Sequence, residues 1–90
     1  MHNSLFCFAV SIHSNASIKI RPLSASCFIL IQPASTTRQL INVGRDGSYD
    51  IIIGDNTLSG MSITGSNDII TLTNTAGWNY ILVVLGAQKQ

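Results

Sequence analysis

The stretch that most constrains this chain is residues 68–85, DIITLTNTAGWNYILVVL. Its first arm alternates, with Ile70 and Leu72 on one side and Thr71 and Thr73 on the other, which is the period of a half-buried strand. A short Asn/Thr/Gly turn follows. The second arm, Tyr80-Ile81-Leu82-Val83-Val84-Leu85, does not alternate, so both of its faces are apolar, as in a strand covered on two sides. A chain of 90 residues has little material with which to cover both faces of a strand. That tension predicts self-association.

Composition sharpens the point. The chain is 46% hydrophobic and 10% charged, against about 25% charged in an ordinary soluble domain. It has ample apolar material for one core, and its surface lacks the charge that keeps a monomer dispersed. The net charge is +1. Lys19, Arg21, Arg38, Arg45 and Lys89 are scattered, without the basic stripe that binds nucleic acid. No apolar run approaches the ~20 residues of a membrane-spanning helix, so no membrane insertion is expected. The apolar stretch near the N-terminus has no Lys or Arg ahead of it, so a first strand is expected there rather than a secretion signal.

The rest of the chain reads as strands separated by turns. Residues 5–14 form a first strand or an arm lying on a neighbour, and residues 1–16 are set apart from a single domain over 17–90. Ile18 and Ile20 alternate with Lys19 and Arg21 until Pro22, which cannot donate to a ladder and is expected to end the strand. Residues 23–26 read as a loop. Residues 27–32, CFILIQ, are a second continuous apolar run stopped by Pro33, and with residues 80–85 they are expected at the centre of the fold. A turn over 34–37 leads to a strand at 38–43. Gly44-Arg45-Asp46-Gly47-Ser48 is the clearest hairpin signal, because Asp-Gly between two β runs favours a tight turn. Strands at 49–53 and 58–64 follow, with turns at 54–56 and 65–67, and residues 86–90 read as a polar tail. Val, Ile and Thr dominate, and no segment sustains a helical period. About seven short strands, with turn signals about every 8–12 residues, predict an all-β chain: a small antiparallel, jelly-roll-like β-sandwich.

Chemistry-bearing residues are few. Cys7 and Cys27 lie in apolar runs and read as buried free thiols, although their spacing is compatible with a bridge between neighbouring strands. Neither His2 nor His13 has ligand spacing to them, so no metal and no cofactor is expected. Asn15-Ala16-Ser17 matches a glycosylation triplet but reads as a turn. Gly60-Met61-Ser62-Ile63-Thr64-Gly65 has one residue too many for a nucleophile elbow and lies in a strand. Asp46, Asp50, Asp55 and Asp68 sit at or near turns, where Asp is a common turn former. No catalytic constellation is evident, and the chain is not expected to be an enzyme. The candidates for a ligand or interface surface are Trp78, Tyr80, Tyr49, Asp46 and Asp55. The rings can stack on a sugar, although such rings more often contribute buried area.

The run Ile70-Thr71-Leu72-Thr73-Asn74-Thr75-Ala76-Gly77-Trp78-Asn79-Tyr80-Ile81-Leu82-Val83-Val84-Leu85, with the preceding GMSITGSNDII of residues 60–70, resembles the closing strands of small virion proteins and fibre-tip domains of tailed bacteriophages. The resemblance covers roughly residues 17–85. It implies a β-sandwich that assembles, typically as a trimer, on a phage particle, beside other virion proteins. The expected role is thus a self-associating structural module of a fibre, tail or capsid accessory, located in the virion. The alternative is a carbohydrate- or receptor-binding sandwich that meets a cell-surface glycan through Trp78 and the loops around Asp46 and Asp55.

Overall fold

A computed structural model describes residues 6–90, and the first residue of the expected 5–14 strand, with His2, lies outside that range. The structure is all-β, with seven antiparallel strands: β1 (Cys7–Ile12), β2 (Ser17–Ile31), β3 (Arg38–Val43), β4 (Tyr49–Ile53), β5 (Met61–Ser66), β6 (Ile69–Asn74) and β7 (Tyr80–Lys89). They form a small β-sandwich whose two layers are parts of one continuous sheet. One layer runs β1-β7-β2-β3-β4. The other is built where β6 pairs with the first residues of β2 and β5 pairs with β6.

The long strands β2 and β7 belong to both layers, and each bends between them. In β7 the bend is Gly86, at φ 85°, a conformation that costs glycine nothing. In β2 it is the irregular stretch between Pro22 and Cys27, which faces only the step from Ala87 to Leu85 on β7. Two expectations are corrected here. Pro22 does not end the strand, because it sits at a break in register where a missing N–H costs no ladder bond. Residues 86–90 are not a polar tail: β7 continues to Lys89, with Ala87 fully buried and paired to Pro22.

One core lies between the layers. Ile12 of β1, Phe28 and Leu30 of β2, Ile41 and Val43 of β3, and Tyr80, Leu82 and Val84 of β7 supply one side. Ile18, Ile20, Met61, Ile70 and Leu72 supply the other. The period of two explains this selection, since alternate residues of each strand face the same way. β1 is paired along its whole length with β7, and Ile12 is buried in the shared core.

The turns pin the layers together. The Asp-Gly hairpin forms as expected: Gly44 N–H donates to the Ser48 carbonyl at 2.8 Å, with Gly47 at φ 86°. Gly65 is glycine for packing rather than turning, since a Cβ there would strike the Asp46 carbonyl and the Gly47 nitrogen. β5 consequently runs on to Ser66, and the turn that follows is Asn67-Asp68, both at positive φ, the two-residue hairpin geometry. At the opposite end of β3, the buried Gln39 donates Nε2 to the Asp55 and Thr57 carbonyls at 2.9 Å each. That side chain holds the connection that crosses from β4 to β5.

Candidate functional site

The five expected site residues do not form one site. Tyr80 is 1% exposed, its ring in the core and its hydroxyl donating to the Ser59 carbonyl. Trp78 is 38% exposed in the β6–β7 turn and tilts at 56° against Tyr80, with ring centroids 6.2 Å apart. Asp55 is exposed in the β4–β5 connection, beside Gln39 near the start of β3. Asp46 is exposed in the turn that follows the other end of β3, and Tyr49 is exposed at the start of β4 next to that turn. Trp78 and Asp55 thus share one rim of the sandwich, and Asp46 and Tyr49 lie at the other. A single sugar cradle from Trp78, Asp46 and Asp55 is not assembled.

Asp46 has a local role. Its Oδ1 accepts from the Ser48 hydroxyl at 2.6 Å and the Ser48 N–H at 3.0 Å, and these bonds hold its carboxyl below the ordinary value of 3.8. The neighbouring cleft of about 390 Å³, lined by Arg45, Asp46, Gly65, Ser66, Asn67 and Asp68, is open and lies where the two hairpin turns meet. Among the described residues no three His, Cys or acidic side chains converge to hold a metal ion.

For the cysteines the expected free state holds and the expected burial is corrected. They are free, with Cys7 exposed and Cys27 half-buried, because Phe8 and Phe28 take the inward positions. Both pair with Leu85 from opposite sides of β7. Two strand spacings, about 9.5 Å, separate their backbones, beyond the ~7 Å a disulfide can span.

Both cysteines lie on an apolar outer face of the sheet. The outer face of the five-stranded layer carries an apolar row that crosses every strand: Ala9, Val83, Ile29, Leu40 and Ile53, each in register with the next. One row beyond it lie Cys7, Leu85, Cys27, Asn42 and Asp50. On the other side lie Ser11, Ile81, Ile31 and Arg38. Val83, Ile29 and Leu40 are only half-buried, Leu85 is 41% exposed and Ile53 is 63% exposed. This is the second apolar face expected of residues 27–32 and 80–85, and no part of the described chain covers it.

Polar groups are confined to its margins. Cys27 Sγ donates to Asn42 Oδ1 at 3.0 Å, and Arg38 Nη1 donates to the carbonyls of Gln32, Ser35 and Thr37. An apolar centre with a polar rim is the anatomy of a protein interface.

Comparison with known proteins finds no matching family model, no matching curated protein and no matching solved structure.

Nothing in those comparisons connects the chain to bacteriophages, so that resemblance rests on residues 17–85 alone. Sequence reasoning anticipated that two strands would be apolar on both faces. It did not align Leu40 and Ile53 with them, because neighbours across a sheet are set by register, which no single strand records.

Proposed function

We propose that the chain is a non-enzymatic structural module that works by associating with copies of itself. The observation that carries this reading is the apolar row Ala9–Val83–Ile29–Leu40–Ile53, which crosses five strands without a covering element among the described residues. Burial at about 25 cal/mol per Å² makes a face of a few hundred Å² worth several kcal/mol, enough to compete with the cost of association. The low charge supports the same reading, since a surface with few charged side chains does little to oppose contact between copies. The resemblance of residues 17–85 to phage fibre-tip and virion proteins supports, as part of the same proposal, a role in a virus particle as a module of a fibre, tail or capsid accessory.

Light scattering after size exclusion tests the core of this reading. A defined oligomer at micromolar concentration is expected, and a folded monomer of 9.7 kDa overturns it.

A further inference from the structure

We propose that the outer face of the five-stranded layer packs on the same face of a second copy, about a two-fold axis lying near the row Ala9–Val83–Ile29–Leu40–Ile53. This inference rests on the self-association reading and adds the partner, the surface and the symmetry.

Size is the first argument. Five strands about 4.8 Å apart and three rows about 6.8 Å apart give a face of roughly 24 by 20 Å, or about 500 Å² per copy. Two such faces bury about 1,000 Å² together, the lower bound for a specific interface. This footprint includes the polar Ser11, Arg38, Asn42 and Asp50 at the rim of the apolar row.

Self-complementarity is the second argument, and it selects the axis. Sheets that pack face to face keep their strands within about 30° of one another. A two-fold axis in the interface therefore runs either nearly across the strands or nearly along them. An axis across the strands, near the central row, exchanges the two flanking rows. Ile81 then meets the partner's Leu85, Ile31 meets the partner's Cys27, and Arg38 meets the partner's Asn42 with Asp50 beside it. Apolar groups meet apolar groups, and the cation on one rim approaches the carboxylate of the other. An axis along the strands instead exchanges β7 with β3. It sets Arg38 on Ile81 and Asn42 on Leu85, burying polar groups against hydrocarbon, which is costly. Only the first axis matches the face to itself, which is the requirement of a two-fold interface. The closed pair also hides both thiol-bearing strands from solvent.

The experiment compares the mass of the full chain with that of Val83→Lys, Ile53→Lys and Leu23→Lys, each checked for folding by circular dichroism. Leu23 is 48% exposed but lies outside the three rows, so it serves as the control. The expected result is a wild-type mass twice that of the chain, halved in Val83→Lys and Ile53→Lys and retained in Leu23→Lys. Ile53 is on the edge strand β4, so its variant keeps the test valid if Val83→Lys does not fold. A monomeric wild type overturns the self-association reading itself. An oligomer that both folded variants leave intact, or a wild-type trimer, overturns the face-to-face pair and leaves self-association standing.

The axis is read in a Cys7→Ser background with a bis-maleimide cross-linker about 10 Å long, matched to the ~10 Å spacing of facing sheets. With Ile31→Cys added, a covalent dimer is expected that is lost when Cys27→Ser is added. A covalent dimer that persists without Cys27 means that position 31 meets itself, which overturns the proposed axis.

Discussion

Asn74 ties three parts of the chain with one side chain. It is fully buried, and its Nδ2 donates to the Ile12 carbonyl at 2.9 Å and the Trp78 carbonyl at 2.8 Å. Its Oδ1 accepts from the Ala76 N–H at 2.8 Å, while its backbone bonds Asn15 and Ala16. Both amide donors and one acceptor are thus satisfied away from water. Asn74→Ala strands three backbone groups, each costing about 1–3 kcal/mol when buried without a partner. The expected loss is about 3 kcal/mol, seen as a lower urea midpoint; a loss below about 0.5 kcal/mol contradicts this role. Asp46 is the exposed counterpart. Its folded pKa is depressed, so the hydrogen bonds of the turn contribute fully above the ordinary value of 3.8 and are lost as pH falls through the lower folded value. An NMR titration of the Asp46 carboxyl should show a midpoint below 3.8, moving up in Ser48→Ala. An unchanged midpoint in that variant would assign the shift elsewhere.

At the scale of the element, two glycines of similar local sequence have opposite roles. Gly65 faces the Asp46–Gly47 backbone with no room for a Cβ, whereas Gly77 has nothing within 4 Å of that position. Gly65→Ala must push two backbones apart and is expected to cost about 1–3 kcal/mol. Gly77→Ala, in an open turn without a positive φ, should change stability by less than about 1 kcal/mol. Thermal unfolding of the pair checks this, and equal effects would mean that the contact between the hairpin turn and β5 carries no strain. The same contact explains a misplaced boundary. Gly65 reads as a turn residue in the sequence but lies within β5, because the constraint on it comes from a segment 18 residues earlier. β2 runs on past Pro22, where the sequence reads a stop, for a related reason. A proline is read as a stop when the ladder it faces is unknown, yet Pro22 falls where β2 and β7 lose register.

At the scale of the molecule, β1 and β7, from opposite ends of the described chain, lie side by side, and β2 and β7 run through both layers. Folding one sheet over on itself gives a core from the inward residues of every layer. Among the described residues no third layer covers the outward residues of the central strands. If the uncovered face closes on a second copy, the melting temperature should rise with protein concentration, because dissociation accompanies unfolding. A melting temperature independent of concentration would argue for a monomer. This prediction and the mass measurement stand or fall together.

The all-β class, the hairpin at Asp46-Gly47, and the two strands apolar on both faces are determined by the sequence alone, since each follows from local period and turn chemistry. Which face of an apolar strand points inward is not local: Cys7 and Cys27 read as buried in the sequence, and only the packed sheet turns Phe8 and Phe28 inward and the thiols outward. Tertiary structure alone decided that β2 passes through Pro22, that Asn74 and Gln39 are buried hubs, and that Trp78 and Asp46 stand at opposite rims. It also decided that five strands align their outward side chains into one apolar row. These depend on register between segments far apart in the chain, and register is a property of pairs of strands rather than of any one of them.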